Sequence, residues 1–316
     1  MDGDLSLAEL GEFPMIDRIV AGRSQPAGVL LGPGDDAAVV STADARVAVS
    51  TDMLVEGRHF RLDWSSPHDL GRKAIAQNAA DIEAMGASVT SFVVAFGAPA
   101  QTPASRVQEL ADGMWFEAGS LGAGIVGGDL VCSPQWVVSV TALGDLAGRP
   151  PVLRSGARAG MHVAVIGDLG HSAAGLALWQ NGINGFEQLR RRHLVPEPPY
   201  GQGAAAAETG ALAMTDVSDG LLADLGHIAT ASGVVINLKL NALQSDIDVV
   251  AAAAHTCRAD PRAFVLGGGE DHALVACFDG TVPEGWRVIG HVGEGSPAVL
   301  VDGSPWTGST GWESFD

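Results

Sequence analysis

Carboxylates recur at strand ends and in glycine turns along this chain, and their spacing is where chemistry is to be sought. Asp35 and Asp36 stand together in "LLGPGDDAAVV", Asp52 in "VSTDMLVEG", Asp129 in "VGGDL", Asp216 and Asp219 in "TDVSDG", and Glu270 and Asp271 in "GGGED". One turn aspartate is ordinary turn or capping chemistry. Five such settings, each joining a carboxylate to glycine and apolar strand, call for a compensating positive charge. Oxygen donors of this kind suit Mg²⁺, which takes one or two carboxylates plus water and substrate phosphates. Cysteine and histidine spacing for zinc is absent: Cys132, Cys257 and Cys277 form no C-x-x-C pair. The glycines of "GPGDD", "VGGDL" and "LGGGED" let backbone N–H groups approach a polyphosphate. Arg154 in "LRSG" could hold a phosphate bidentately. His59 and Trp312 are compatible with ligand contact or with purely structural roles.

Composition narrows the class. The 316 residues are 47% hydrophobic and carry a formal net charge of −19, which disfavours nonspecific binding to nucleic acid or anionic lipid. Only Lys73 and Lys239 are lysines, so phosphate chemistry must use arginine, backbone N–H groups or metal. The acidic start "MDGDLSLAELGEF" does not read as a secretory signal and no apolar run reaches membrane-spanning length, so a cytoplasmic protein is expected.

These residues need elements to hold them. "GVLL" and "VAVSTDMLV" read as strands, and "SPHDLGRKAIAQNAADIEAMGA" reads as a helix capped by Ser66 or Asp69 and stopped at Gly86. On that helix Lys73, Gln77, Asn78 and Asp81 share one face, opposite Ile75, Ile82 and Met85. "SVTSFVVAFGAP", "AGIVGGDLV", "QWVVSVTALGDL", "VVINLKL" and "WRVIGHV" read as strands. "SRVQELADGMWFEAGSLG" and "HSAAGLALWQNG" read as helices, "MTDVSDGLLADLGHIATASG" as an acidic turn and helix, and "AFVLGGGEDHALVACF" as strand, glycine turn and strand. "GAGIVG" satisfies G-x-G-x-x-G but runs from a helix into a strand, the reverse of a dinucleotide site. The Gly-, Pro- and Arg-rich segment 147–160 divides the chain into expected domains 1–148 and 149–316, in a mixed α/β class.

Taken in order, "GEFPMIDRI", "GPGDDAAV", "STDMLVEGRHF", "GRKAIAQNAADIEAMGA", "GIVGGDL", "LRSGARAG", "GDLGHSAAGLA", "DVSDGLLADLGHI" and "GGGEDHAL" resemble the thiamine-monophosphate kinases, the ThiL-type family of the AIR-synthetase-like (PurM-like) superfamily. The resemblance spans nearly the whole chain. It implies two α/β domains, with the N-terminal domains of two subunits forming a joint β-barrel in a homodimer. It also implies transfer of a phosphoryl group from ATP to thiamine monophosphate, the last step of thiamine diphosphate formation, with several Mg²⁺ ions. Carried over by position, the metal ligands would be Asp36, Ser50, Thr51, Asp52, Asp81, Asp129, Asp216 and Asp219, with Asp52, Asp81 and Asp129 the most critical. ATP would meet Gly128, Asp129, Arg154 and Ser218, and thiamine phosphate would meet His59, Glu270 and Trp312. Pro33 and His272 depart from the usual pattern, and 240–262 matches none of its motifs.

The chemistry agrees with that assignment. A phosphomonoester's second pKa is about 6, so the acceptor is already mostly a dianion at neutral pH. No general base is needed for direct in-line transfer. The obstacle is repulsion between two anions, which carboxylate-bound Mg²⁺ would relieve. Selenophosphate synthetases and hydrogenase-maturation dehydratases share the superfamily, but they carry terminal reactive cysteines. Here the first cysteine is Cys132 and the chain ends "GWESFD".

Overall fold

A computed structural model describes residues 5–33 and 37–312. Backbone contacts divide the chain into two units, residues 1–82 with 89–148, and residues 83–88 with 149–316.

The first unit begins with helices α1 (Leu7–Leu10) and α2 (Glu12–Val20) and the short antiparallel pair β1 (Val29–Leu31) and β2 (Val39–Val40). Then follow β3 (Ala48–Val55), α3 (Pro67–Ala84), β4 (Ser88–Ala98), α4 (Ala104–Ser120), β5 (Gly124–Cys132) and β6 (Val137–Asp145). The last four strands named form one sheet in the order β3-β6-β4-β5, with β3 antiparallel to β6 and β4 parallel to β5. Ser66 caps α3, its Oγ accepting from Asp69 N at 3.0 Å, and Gly86 ends the turn beyond that helix with φ +71°. Helices α3 and α4 cross where two glycines meet backbone. A Cβ on Gly71 would collide with the Leu110 carbonyl, and one on Gly113 with that of His68. The other face of the sheet leaves Val49, Met53, Val93 and Val131 exposed.

The second unit opens with a 3-10 turn at Arg154–Gly156 and continues β7 (His162–Ile166), α5 (His171–Gln180), α6 (Glu187–Leu194), α7 (Gln202–Thr209), β8 (Ala211–Asp216) and α8 (Leu221–Ser232). It is completed by β9 (Val235–Leu238), α9 (Gln244–Cys257), α10 (Pro261–Gly267), β10 (Leu274–Phe278), β11 (Arg287–Gly293) and β12 (Ala298–Val301). Its six strands run β12-β9-β11-β7-β10-β8, antiparallel except for β12 beside β9. One face carries the large core that includes Leu178, Leu225, Val250 and Leu266, from α5, α8, α9 and α10. The other carries Met214, Phe278, Trp286 and Ala206 of α7.

Two sequence expectations change. "AFVL", expected as a strand, is helical within α10, because Asp260 caps it through Arg262 N at 2.9 Å and Pro261 takes a first-turn position. "MTD", expected as turn, is the end of β8, paired residue by residue with β10. The unassigned stretch 240–262 is a 3-10 turn, α9 and the start of α10.

Candidate active site

In the first unit the polar face of α3 lies under β3. Ser50 Oγ donates to Asp81 Oδ2 at 2.6 Å, Asp52 N donates to Asn78 Oδ1 at 3.0 Å, and Gln77 Nε2 lies 3.3 Å from Asp52 Oδ2. Asn78 is itself held by the Ala74 carbonyl at 2.8 Å. The i, i+3, i+4 spacing on α3 meets the two-residue spacing of β3, so Ser50 and Asp52 share the face that looks at the helix. Thr51 looks the other way. Its hydroxyl donates to the Val140 carbonyl at 3.0 Å and lies 3.1 Å from the Thr141 hydroxyl, outside the Ser50–Asp52–Asp81 group. Lys73, on the same face of α3, is buried with Nζ 3.2 Å from the His59 carbonyl. His59 Nδ1 accepts from Val55 N at 3.0 Å, which puts the ring proton on Nε2.

Asp129 stands apart from that group. It lies on β5, three strands from β3, about 14 Å at ladder spacing. It is exposed, and its Oδ1 accepts from Leu130 N at 2.9 Å. Gly128 beside it has the Val94 carbonyl packed against its Cα, leaving no room for a side chain. Asp35 and Asp36 lie outside the described residues.

In the second unit the turn after β8 gathers most of the expected residues. Glu270 N donates to the Ser218 carbonyl at 2.7 Å, and Trp312 N donates to the Asp219 carbonyl at 3.0 Å. Ser218, Asp219, Glu270 and Trp312 therefore share one neighbourhood, although they are up to 94 residues apart in the chain. Asp216 is buried, with Oδ2 3.0 Å from His272 Nδ1. Arg154 is elsewhere. Its carbonyl accepts from Ser232 Oγ at 2.8 Å, at the C-terminal end of α8, while Asp219 precedes the N-terminal end. A 12-residue helix separates the two by about 18 Å.

Three features had no role assigned from sequence. Asp224 is buried on α8 and accepts from Asp219 N at 3.1 Å and Gly220 N at 3.0 Å. Burial, and then the neighbouring Asp216 charge, push its carboxyl up to about 7. One ligand atom each from Asp219, Asp224 and His227 fall within 4.8 Å of one another. The signal was present: Asp224 and His227 are three apart, on one face of the helix that begins just after Asp219. Asp271 is the second feature, buried with its oxygens accepting from Gly170 N at 2.5 Å and Ser172 N at 2.8 Å. Burial pushes it to about 7 against those two N–H groups. The third is His193, whose Nδ1 lies 3.4 Å from Glu270 Oε2 and 3.1 Å from Ser172 Oγ.

Comparison with known proteins identifies the family. Residues 34–146 match the family model for AIR synthase related protein, N-terminal domain. The chain is 69% identical over 310 residues to a thiamine-monophosphate kinase of Mycobacterium tuberculosis, covering 98% of this chain and 93% of that protein. The chain belongs to the thiamine-monophosphate kinase family. Two solved structures extend the likeness to the whole fold. The thiamine-monophosphate kinase from Stenotrophomonas maltophilia K279a superposes with TM-score 0.79 at 30% identity, covering 92% of this chain and 95% of that one. AaThiL complexed with AMPPCP and TMP gives TM-score 0.75 at 30% identity, with 98% and 99% covered. Among the described residues no helix is long and apolar enough to cross a membrane.

Proposed function

We propose that this chain transfers the γ-phosphoryl group of ATP to thiamine monophosphate, giving thiamine diphosphate and ADP. The observation that carries this reading is the 69% identity to a thiamine-monophosphate kinase across 98% of the chain. A relative solved with AMPPCP and TMP, similar over 98% of the chain, supports the same pair of substrates. The convergence of Ser218, Asp219, Glu270 and Trp312 on one turn agrees with it.

The metal chemistry is the finer part of the proposal. Ser50, Asp52 and Asp81 form a donor set of hydroxyl and carboxylate oxygens, with amide neighbours and no thiolate, which fits a hard divalent cation such as Mg²⁺. Asp36, Thr51, Asp129, Asp216 and Asp219 complete the proposed ligands. Thr51 would contribute through its backbone, since its hydroxyl is engaged on the opposite face. When bound, Mg²⁺ would supply the positive charge that lets one phosphate approach another. The chain's own residues do the rest. By family position, Gly128, Asp129, Arg154 and Ser218 would each meet ATP, and His59, Glu270 and Trp312 would each meet the acceptor. No side chain is assigned as general base, because the attacking oxygen belongs to an already ionised phosphate, and transfer is direct and in line. Cytoplasmic residence is part of this reading.

A homodimer is proposed as well. The open sheet of the first unit presents Val49, Met53, Val93 and Val131 to solvent, an apolar face of the kind a second copy would cover by completing a barrel.

Purified protein incubated with ATP and thiamine monophosphate, with and without Mg²⁺, tests the reaction. Equal amounts of ADP and thiamine diphosphate, formed only with the metal, are expected. Tight ATP binding with no thiamine diphosphate would overturn the acceptor assignment.

A further inference from the structure

Glu270, Asp271 and His272 are consecutive, yet each is fastened to a different element. The Glu270 carboxylate faces His193 of α6, Asp271 receives the first N–H groups of α5, and His272 meets Asp216 at the end of β8. Glu270 and His272 both hold positive φ, +63° and +54°, a conformation that non-glycine residues adopt at a cost and keep only when the surroundings impose it.

His193 is buried, and its place is set by packing that does not involve Glu270. Helix α6 lies close against α5 because residue 175 is glycine; a Cβ there would strike the Leu189 carbonyl and crowd His193 Cβ. Next to it, Arg192 Nε reaches Asp168 Oδ2 at 3.2 Å and its Nη1 pairs with Glu197, so the end of α6 is tied to the β7–α5 turn. Asp168 is in turn 3.2 Å from His171 Nδ1. Ser172 Oγ then fixes the ring of His193 at 3.1 Å. A proton on Nδ1 faces both Ser172 Oγ and Glu270 Oε2. Thus a buried imidazole faces a carboxylate that is one-third exposed.

We infer that His193 is a positioning residue for the acceptor: held by α5 and Ser172, it pre-orders the Glu270 carboxylate for the cationic and N–H-bearing half of thiamine monophosphate. The inference rests on Glu270 meeting the acceptor, as proposed above. Its energetic origin is rotamer freedom, because a glutamate already ordered has less to lose when the substrate arrives. His193 does not touch substrate and takes no part in phosphoryl transfer.

The test is steady-state kinetics on the full chain with Mg²⁺, varying thiamine monophosphate and ATP separately. His193→Ala is expected to raise KM for thiamine monophosphate about fivefold, the scale set by immobilising one long side chain, with kcat and KM for ATP within about twofold. His193→Asn carries an amide N–H near the Nδ1 position and should restore most of the loss. His193→Gln, with its amide nearer the Nε2 position, should not. In a Glu270→Ala background, His193→Ala should add nothing further. Equal changes in both KM values and kcat, or additive effects of the two alanines, would mean that His193 only supports the fold, and would overturn the inference. If His193→Ala does not fold, the Asn and Gln variants carry the same comparison. An effect at Glu270 with none at His193 would overturn the inference alone. An unchanged KM in Glu270→Ala would remove the acceptor contact itself, and the inference with it.

Discussion

Asp271 shows how much a single buried carboxylate can do here without touching a ligand. Two N–H groups at the start of α5 hold it, yet its burial wins and its carboxyl titrates at about 7, against 3.8 ordinarily. The folded protein therefore keeps this proton in a range where the unfolded chain has released it. The contribution to stability is complete below about pH 4 and is lost as pH rises through about 7, at a slope of at most about 1.4 kcal/mol per pH unit. Urea unfolding of metal-free protein at pH 5, 6 and 7 should show a shallower decline for Asp271→Asn than for the native chain. Parallel declines would show that Asp271 is ionised throughout. In the first unit, Asp81→Asn should lower kcat/KM by roughly tenfold or more, since each 1.36 kcal/mol of lost transition-state stabilisation is a factor of ten. Retained activity would take Asp81 out of the metal group. Asp52 on its strand and Asp81 on the polar face of its helix were legible from period and spacing, while their membership of one group came from the family resemblance. The roles of Asp271 and His193 were hidden for a physical reason: their partners are backbone N–H groups and side chains that only tertiary packing brings near, whereas Asp224 bonds to the turn just before its own helix.

Helix α3 owes its position over β3 to the crossing with α4, and that crossing has no room for one more methyl group on either side. Gly71→Ala should push the helices apart and cost about 1–3 kcal/mol. Because α3 also carries Asn78 and Asp81, activity should fall by more than the loss of folded protein explains. A variant with full stability but unchanged kinetics would separate the crossing from the site. At the start of the same helix, Ser66→Ala should cost about 1 kcal/mol through loss of the bond from Asp69 N, read as a lower urea midpoint. Periodicity and capping chemistry made α3 readable almost to its ends. They failed at "AFVL", where an apolar run of strand length sits after an Asp-Pro start that marks a helix. The short run could not be resolved by hydrophobicity alone.

Over the whole molecule the two units are built on different plans, an open four-stranded sheet with one bare face and a six-stranded sheet covered on both. The motif order carried the family, but it could not show which chemistry-bearing residues each unit would bring together. Arg154 and Ser218 were expected to share a ligand and lie at opposite ends of α8. Asp129 likewise sits strands away from Asp52. Their separation follows from topology, which local spacing does not encode. The bare face of the first sheet leads to a test at this level. Val49→Asp with Met53→Asp should halve the mass measured by light scattering if a second copy covers that face. An unchanged mass would remove this face as a subunit interface.

The triplet Glu270-Asp271-His272 has a consequence in time. Asp271 and His272 bond to partners 56 to 101 residues away in sequence, so neither anchor can form from local chain alone. Contacts of that span are slow to close, because the intervening chain must already be arranged. During renaturation, helix content should return first and acceptor affinity last. The interval between them would be the time the chain takes to bring α5, α6 and β8 around one tripeptide.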